Sequence, residues 1–223
     1  MSATPWTVLC DFDGTIACED VTDSLLMRFG RPGWEALEAA WREGRLDART
    51  CMARQVALLA CTRSELDEHL AAVAIDPGFV DFADAVESAG MRLAIVSDGL
   101  DYACRAILDH HGLRHMPVIA NRLVQEGARR WRLDFPNARA DCRSGSGTCK
   151  CAHAPFDAAP VLLVGDGASD FCPAERATLV YARKRLLAHC RDRGLPHRPL
   201  ADFREARALL CELAHVPLAR MPA

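Results

Sequence analysis

Lysine is almost missing from this chain: of 27 basic residues only Lys150 and Lys184 are lysines. This bias toward arginine marks genome composition and makes each lysine worth inspecting. A positive surplus is missing too. Net charge is −3 over 223 residues, so no broad positive field is available to neutralise a phosphate backbone, which argues against nucleic acid as a partner. The local excess after Ala182, nine basic residues against four acidic ones, reads as a solvated helix face. No long hydrophobic run occurs: stretches such as Val161–Val164 are far too short to span a bilayer, and the N-terminus has no basic stretch followed by an apolar run of signal length. The expectation is a cytoplasmic protein with no membrane partner. Repeats and low-complexity segments are also absent.

What is present is 50% hydrophobic and 26% charged, enough for a substantial core. Eleven cysteines, an odd number, suit reduced thiols better than a fully paired disulfide framework. The apolar periodicity reads as an alternating α/β chain. Short buried runs at Trp6–Cys10, Met91–Val96 and Val161–Val164 predict strands, each ending in a polar cluster: Asp11-Phe12-Asp13-Gly14-Thr15, Ser97-Asp98-Gly99 and Gly165-Asp166-Gly167. Between the first two strands the pattern predicts helices over 20–29, 33–41, 48–59 and 64–73, a small helical subdomain inserted early. Helices are predicted at 79–88 and 100–111, a hairpin at 118–124 and 130–135, then a Cys-, Gly- and Ser-rich stretch over 136–160. A helix near 169–176, a strand at 178–181 and helices near 185–193 and 202–214 complete the reading. Strands alternating with helices imply a mostly parallel sheet covered on both faces, and ligands of such sheets collect at the carboxyl ends of the strands. All three polar clusters sit at that edge.

Residues two apart on an extended chain face the same way, so Asp11 and Asp13 present two carboxylates to one pocket while Phe12 turns into the core. Asp166 brings a third carboxylate, with Asp170 behind it. Oxygen ligands that leave waters in place suit Mg²⁺ better than zinc, and packed anions require a cation or a basic side chain. Ser97 supplies a hydroxyl, and the Ser-Asp-Gly turn is expected to expose backbone N–H groups beside a helix start, which are phosphate-binding parts. Lys150 adds an ammonium able to hold both a phosphoryl oxygen and a carboxylate. Together the pieces describe phosphoryl transfer.

These residues resemble the haloacid dehalogenase (HAD) superfamily of phosphatases. Asp11-Phe12-Asp13-Gly14-Thr15 looks like its first motif, Ser97 its second, Lys150 its third and Gly165-Asp166-Gly167-Ala168-Ser169-Asp170 its fourth, in order and over most of the chain. The early helical insertion resembles the C1-capped branch that includes phosphoserine phosphatases. The runs Pro32-Gly33-Trp34-Glu35-Ala36-Leu37, Ser97-Asp98-Gly99-Leu100-Asp101-Tyr102 and Cys149-Lys150-Cys151 are more similar still to the methionine-salvage phosphatases of 2-hydroxy-3-keto-5-methylthiopentenyl-1-phosphate. The resemblance implies an α/β Rossmann-like core over 1–16 and 78–223, with an inserted helical C1 cap over 17–77. It implies Asp11 as the nucleophile that forms an aspartyl-phosphate, Asp13 as general acid and base, and Lys150 as the group that orients Asp11. Ser97, Asp98, Gly99 and Lys150 would bind phosphate. Asp11, Asp13 through its carbonyl and Asp166 would hold Mg²⁺, with Asp170 either behind these ligands or as a further metal partner, and the substrate would be a small phosphorylated metabolite. Glu19, Asp20, Arg28 and Arg54 in the insertion are candidates for reading that substrate, although capping or surface roles fit each of them as well.

Two departures stand out. Asp98 occupies a place where many relatives carry glycine, and Ser169 one where phosphoserine phosphatases usually carry asparagine, which counts against serine phosphate. Cys142, Cys149, Cys151 and His153 admit three readings: a structural zinc site, a labile disulfide, or small unpaired hydrophobes. Trp34 and Trp41, seven apart, read first as packing of the insertion's core and second as substrate-facing rings. Lys184 reads as a solvated helix residue. Beside the enzyme stand two alternatives: a phosphatase of phosphoserine or another small metabolite, and a catalytically silent protein binding a phospho-ligand or partner through its cap.

Overall fold

The computed structural model describes residues 5–213. In chain order it runs β1 (Thr7–Cys10), α1 (Val21–Phe29), α2 (Trp34–Arg42), α3 (Ala48–Ala57), α4 (Arg63–Ala71), α5 (Phe79–Ser88), β2 (Arg92–Leu100) and α6 (Asp101–His110). The hairpin β3 (Val118–Gly127) and β4 (Arg130–Asp134) follows, then a 3-10 turn over Lys150–His153. Last come β5 (Val161–Gly165), a 3-10 turn over Ala168–Asp170, α7 (Phe171–Ala174), β6 (Leu179–Ala182), α8 (Lys184–Arg193), β7 (His197–Pro199) and α9 (Phe203–Leu213). This is the α/β class expected from the pattern. No helix among the described residues is long and apolar enough to cross a membrane.

The chain divides into two compact units. The first holds residues through Cys18, 75–96 and those from Lys150 on; the second holds 19–74 and 97–149. This division groups 97–149 with the helical insertion, whereas the sequence reading counts that stretch with the core.

In the first unit five parallel strands follow the order β2-β1-β5-β6-β7. Every residue of β1, β5 and β6 is buried, because helices cover both faces and leave no solvated side to alternate with. Register does the positioning. Cys10 lies opposite Val164 and Gly165 opposite Ala182, so β1, β5 and β6 end level with one another, and Asp11 continues the pattern by donating its N–H to the Val164 carbonyl at 2.9 Å. The two ends of the insertion close on each other here: Ala17 bridges antiparallel to Ile75, and the Asp76 N–H reaches the Ile16 carbonyl at 2.8 Å. Asp76, buried, accepts from the backbone of Gly78 and Phe203 and from the Arg183 guanidinium at 3.3 Å. Phe203 seats α9 on α5, its ring 4.9 Å from Phe79 and 5.0 Å from Phe82.

The second unit holds α1–α4, α6, the hairpin and the carboxyl end of β2. Its helices begin where side-chain acceptors meet orphan N–H groups: Asp20 on Asp23, Asp47 on Thr50, and Thr62 with Glu65 as a reciprocal capping box. The hairpin is anchored by Trp131, 2% exposed, whose indole donates to the Cys61 carbonyl at 2.9 Å, and by Arg129 on Ala60 and Glu65.

Four local expectations change. The Ser97-Asp98-Gly99 stretch is extended strand rather than turn, because β2 continues to Leu100 as the neighbour of β3, and α6 starts only at Asp101. The helix expected over 169–176 shrinks to Phe171–Ala174, since the Asp170 carboxylate bends back to accept the N–H groups of Asp166 and Gly167 and tightens the preceding turn. Trp34 and Trp41 are half-buried and Ala40 is the buried residue of α2, so the tryptophans flank the packing instead of filling it. Strand β7 went unpredicted; a three-residue run ending in Pro199 carries no alternation to detect.

Candidate active site

The first unit gathers its charges at the carboxyl ends of β1 and β5. Asp11 leaves β1 buried at 6% exposure, Phe12 turns fully inward, and Asp13 follows half-buried, the alternation expected of an extended chain. Lys150, on its 3-10 turn, places its ammonium 2.7 Å from Asp11 Oδ1 and 2.5 Å from Asp170 Oδ1, with 1% of its side chain exposed. The other Asp170 oxygen accepts the N–H groups of Asp166 and Gly167, each at 3.2 Å. Gly165 makes room for this carboxylate, since a Cβ there would lie 2.5 Å from Asp170 Cγ.

Oxygens of Asp11, Asp166 and Asp170 lie within 4.8 Å of one another, and among the described residues no other group of three His, Cys, Asp or Glu ligand atoms is gathered so closely. No three of the ligand atoms of Cys142, Cys149, Cys151 and His153 are gathered within that distance; the Cys151 sulfur stands 3.3 Å from that of Cys172. Burial pushes the thiols of Cys51 and Cys190 up to about 11, which leaves both inert near neutral pH.

Burial, reinforced by the neighbouring Asp170 charge, drives the Asp11 carboxyl well above its ordinary range even with Lys150 beside it. Burial also opposes charge on Lys150, but Asp11 and Asp170 outweigh it and hold the ammonium protonated. The cluster is thus short of positive charge. Three hard oxygen donors fit a Mg²⁺ ion, which would favour the ionised form of Asp11.

In the second unit Ser97 is fully buried, its hydroxyl accepting from the Gly99 N–H at 2.9 Å. The Asp98 carboxylate accepts the Thr148 N–H at 2.9 Å and the Asn121 amide at 3.2 Å. Thr148 and Asn121, both buried and hydrogen-bonded at 3.1 Å, complete this polar knot two residues upstream of Lys150 in the chain. A lone Asn in a strand and a Thr in an irregular loop gave no local signal of it. Among the substrate-reading candidates, Glu19, Asp20, Arg28 and Arg54 are all exposed; Asp20 caps α1, and Arg28 lies over the Phe29 ring at 5.4 Å. Lys184, read from sequence as solvated, reaches Asp166 Oδ2 at 2.8 Å.

Residues 8–175 match the haloacid dehalogenase-like hydrolase family. The chain is 31% identical over 209 residues to a 2-hydroxy-3-keto-5-methylthiopentenyl-1-phosphate phosphatase of Exiguobacterium sp., covering 91% of this chain and 96% of that protein. It is 31% identical over 202 residues to the enzyme of the same name from Geobacillus thermodenitrificans, covering 88% and 91% of the two chains. Its fold is similar to that of a HAD family hydrolase from Salmonella enterica serovar Typhi, with TM-score 0.73 at 20% identity over 95% of this chain and 72% of that one. A phosphoserine phosphatase trapped as a phospho-aspartyl intermediate analogue gives TM-score 0.67 at 21% identity over 93% and 99%. With the motifs, the parallel sheet and these relatives in agreement, the chain belongs to the haloacid dehalogenase-like hydrolase family and is one of its phosphatases.

Proposed function

We propose that this phosphatase hydrolyses a small phosphorylated metabolite through an aspartyl-phosphate on Asp11, with 2-hydroxy-3-keto-5-methylthiopentenyl-1-phosphate as its substrate. The observation that carries the mechanism is the buried Asp11–Lys150–Asp170 contact, which aims one carboxylate and fixes its counter-charge. The substrate assignment draws on relatives of that name, similar over nearly their whole length.

An Asp11 oxygen attacks phosphorus as the ester P–O bond breaks, and Asp13 gives the leaving oxygen its proton. Asp13 then takes a proton from water, whose oxygen attacks phosphorus and releases inorganic phosphate and free Asp11. Lys150 holds Asp11 in line throughout, and Ser97, Asp98 and Gly99 are assigned to the transferring phosphoryl group. Asp11, Asp166, Asp170 and the Asp13 carbonyl would bind Mg²⁺, which supplies positive charge to a phosphoryl group approaching a negatively charged site. The insertion over 17–77 is assigned as the cap that selects the substrate, with Glu19, Asp20, Arg28 and Arg54 as its readers.

Phosphate release from a panel of phosphorylated metabolites tests this reading. The enolphosphate should give the highest kcat/KM, EDTA should abolish turnover, and added Mg²⁺ should restore it. A clear preference for phosphoserine would overturn the substrate assignment, and activity undiminished by EDTA would overturn the metal.

A further inference from the structure

The two lysines of this chain stand on the same group of carboxylates in opposite ways. Lys150 is locked, with 1% of its side chain exposed, between Asp11 and Asp170. Lys184 comes in from the solvent side: 61% of its side chain is exposed, yet its ammonium lies 2.8 Å from Asp166 Oδ2 and 3.2 Å from the Gly14 carbonyl.

Its backbone is held in place for this. Lys184 has φ +41°, the positive-φ residue other than glycine among the described residues, a conformation that concentrates at functional sites because the surroundings must enforce it. The enforcing bonds are visible: the Arg183 N–H donates to the Gly165 carbonyl at 3.0 Å and the Leu186 N–H to the Asp166 carbonyl at 2.9 Å, so the start of α8 is pinned to the segment that carries Asp166. The Arg183 guanidinium adds bonds to the Thr15 carbonyl and to Asp76. On the opposite side Gly14, at φ +68°, leaves the space open, since a Cβ there would lie 2.5 Å from Asp166 Oδ2 and 2.7 Å from the Lys184 ammonium.

We propose that Lys184 is a displaceable counter-charge: its ammonium pairs with Asp166 in the metal-free site and yields that oxygen when a divalent cation binds, so that this residue lowers the Mg²⁺ affinity of the enzyme. The inference rests on the reading of Asp11, Asp166 and Asp170 as the divalent-cation site. Lys150 is committed to Asp11 and Asp170, so Lys184 is the lysine that faces Asp166. Exchanging the Lys184 contact for a divalent ion satisfies Asp166 without leaving it bare at any stage. A group that pairs with a ligand residue only in the metal-free state must weaken metal binding, by linkage. Exposure is what allows the exchange, since an ammonium on a solvated four-carbon stem can swing into water where Lys150 cannot. Lys184 is therefore a positioning residue, acting on the metal through Asp166.

Isothermal titration of the metal-free protein with MgCl₂ tests this, using wild type, Lys184→Met and Lys184→Arg. Lys184→Met should bind Mg²⁺ about fivefold more tightly, the scale of a partly exposed ion pair removed from the competing state, while Lys184→Arg, which keeps the charge, should stay within about twofold of wild type. The Mg²⁺-induced rise in melting temperature should follow the same order, larger in Lys184→Met than in wild type. Wild-type binding with an affinity unchanged or weakened in Lys184→Met overturns the role of Lys184 alone. No Mg²⁺ binding by wild type overturns the metal reading, and this inference with it.

Discussion

Carboxylates do different work in the two units. In the second, Asp20, Asp47 and Glu65 each sit within three residues of the N–H groups they satisfy, near the surface, and each closes the first turn of its own helix. In the first, Asp11 from the end of β1 meets Asp166 and Asp170 from the segment after β5, more than 150 residues on, with Lys150 between Asp11 and Asp170 and Lys184 on Asp166. The first arrangement lowers energy locally. The second raises it, because buried like charges repel and burial removes their hydration, so it needs the ammonium groups beside it.

The contrast can be tested from its strongest point downward. Asp11→Asn should lower phosphate release by at least about a thousandfold with an unchanged circular dichroism spectrum, since an amide is no nucleophile. Retained turnover would remove Asp11 from the chemistry. Lys150→Met strands two buried carboxylates, so urea titration should show a loss of about 3–5 kcal/mol together with loss of activity. A loss below about 1 kcal/mol would mean that the site relaxes or admits water more readily than its burial implies.

At the surface the effects shrink. Asp20→Ala should lose about 1 kcal/mol from the α1 cap, whereas Asp20→Asn should keep the cap and the stability. If Asp20 also reads substrate, the Asn variant will still shift preference among phosphate esters. Equal losses on all esters would leave it a cap alone. The smallest effect belongs to Glu65, whose carboxyl is held down at about 2 against an ordinary 4.5 by the Thr62 N–H, then by Arg129 and the Thr62 hydroxyl. A depressed carboxyl stabilises above its unfolded value and loses that contribution as pH falls toward the folded one. Melting temperature should therefore decline between pH 5 and pH 3 slightly less in Glu65→Gln than in wild type; identical slopes would show that the capping box does not couple to folding.

Much of this protein was legible before any coordinates. Short apolar runs ending in acidic clusters marked β1 and β5, two-residue alternation separated Asp11 and Asp13 from Phe12, and the scarcity of lysine drew attention to Lys150. Caps were readable for the same reason, because their partners lie one turn away. Other features were not. The extension of β2 through Ser97 needed β3 beside it, and the Asp98–Asn121–Thr148 knot joins residues from separate segments of the second unit.

Lys184 shows the boundary most plainly. Its neighbours in sequence, Arg183 and Arg185, make it look like one more charge on a solvated helix, and nothing within a helical turn hints at Asp166 or Gly14. What decided its position was the parallel register of β5 and β6, which brings Ala182 opposite Gly165 and so delivers the next residues to the acidic cluster. Sequence by itself determined the periodicities, the caps and the order of the motifs, because those depend on spacings of two to four residues. Which charges meet was left to strand register, and that is settled by how whole strands bury their side chains, a property that no single segment contains.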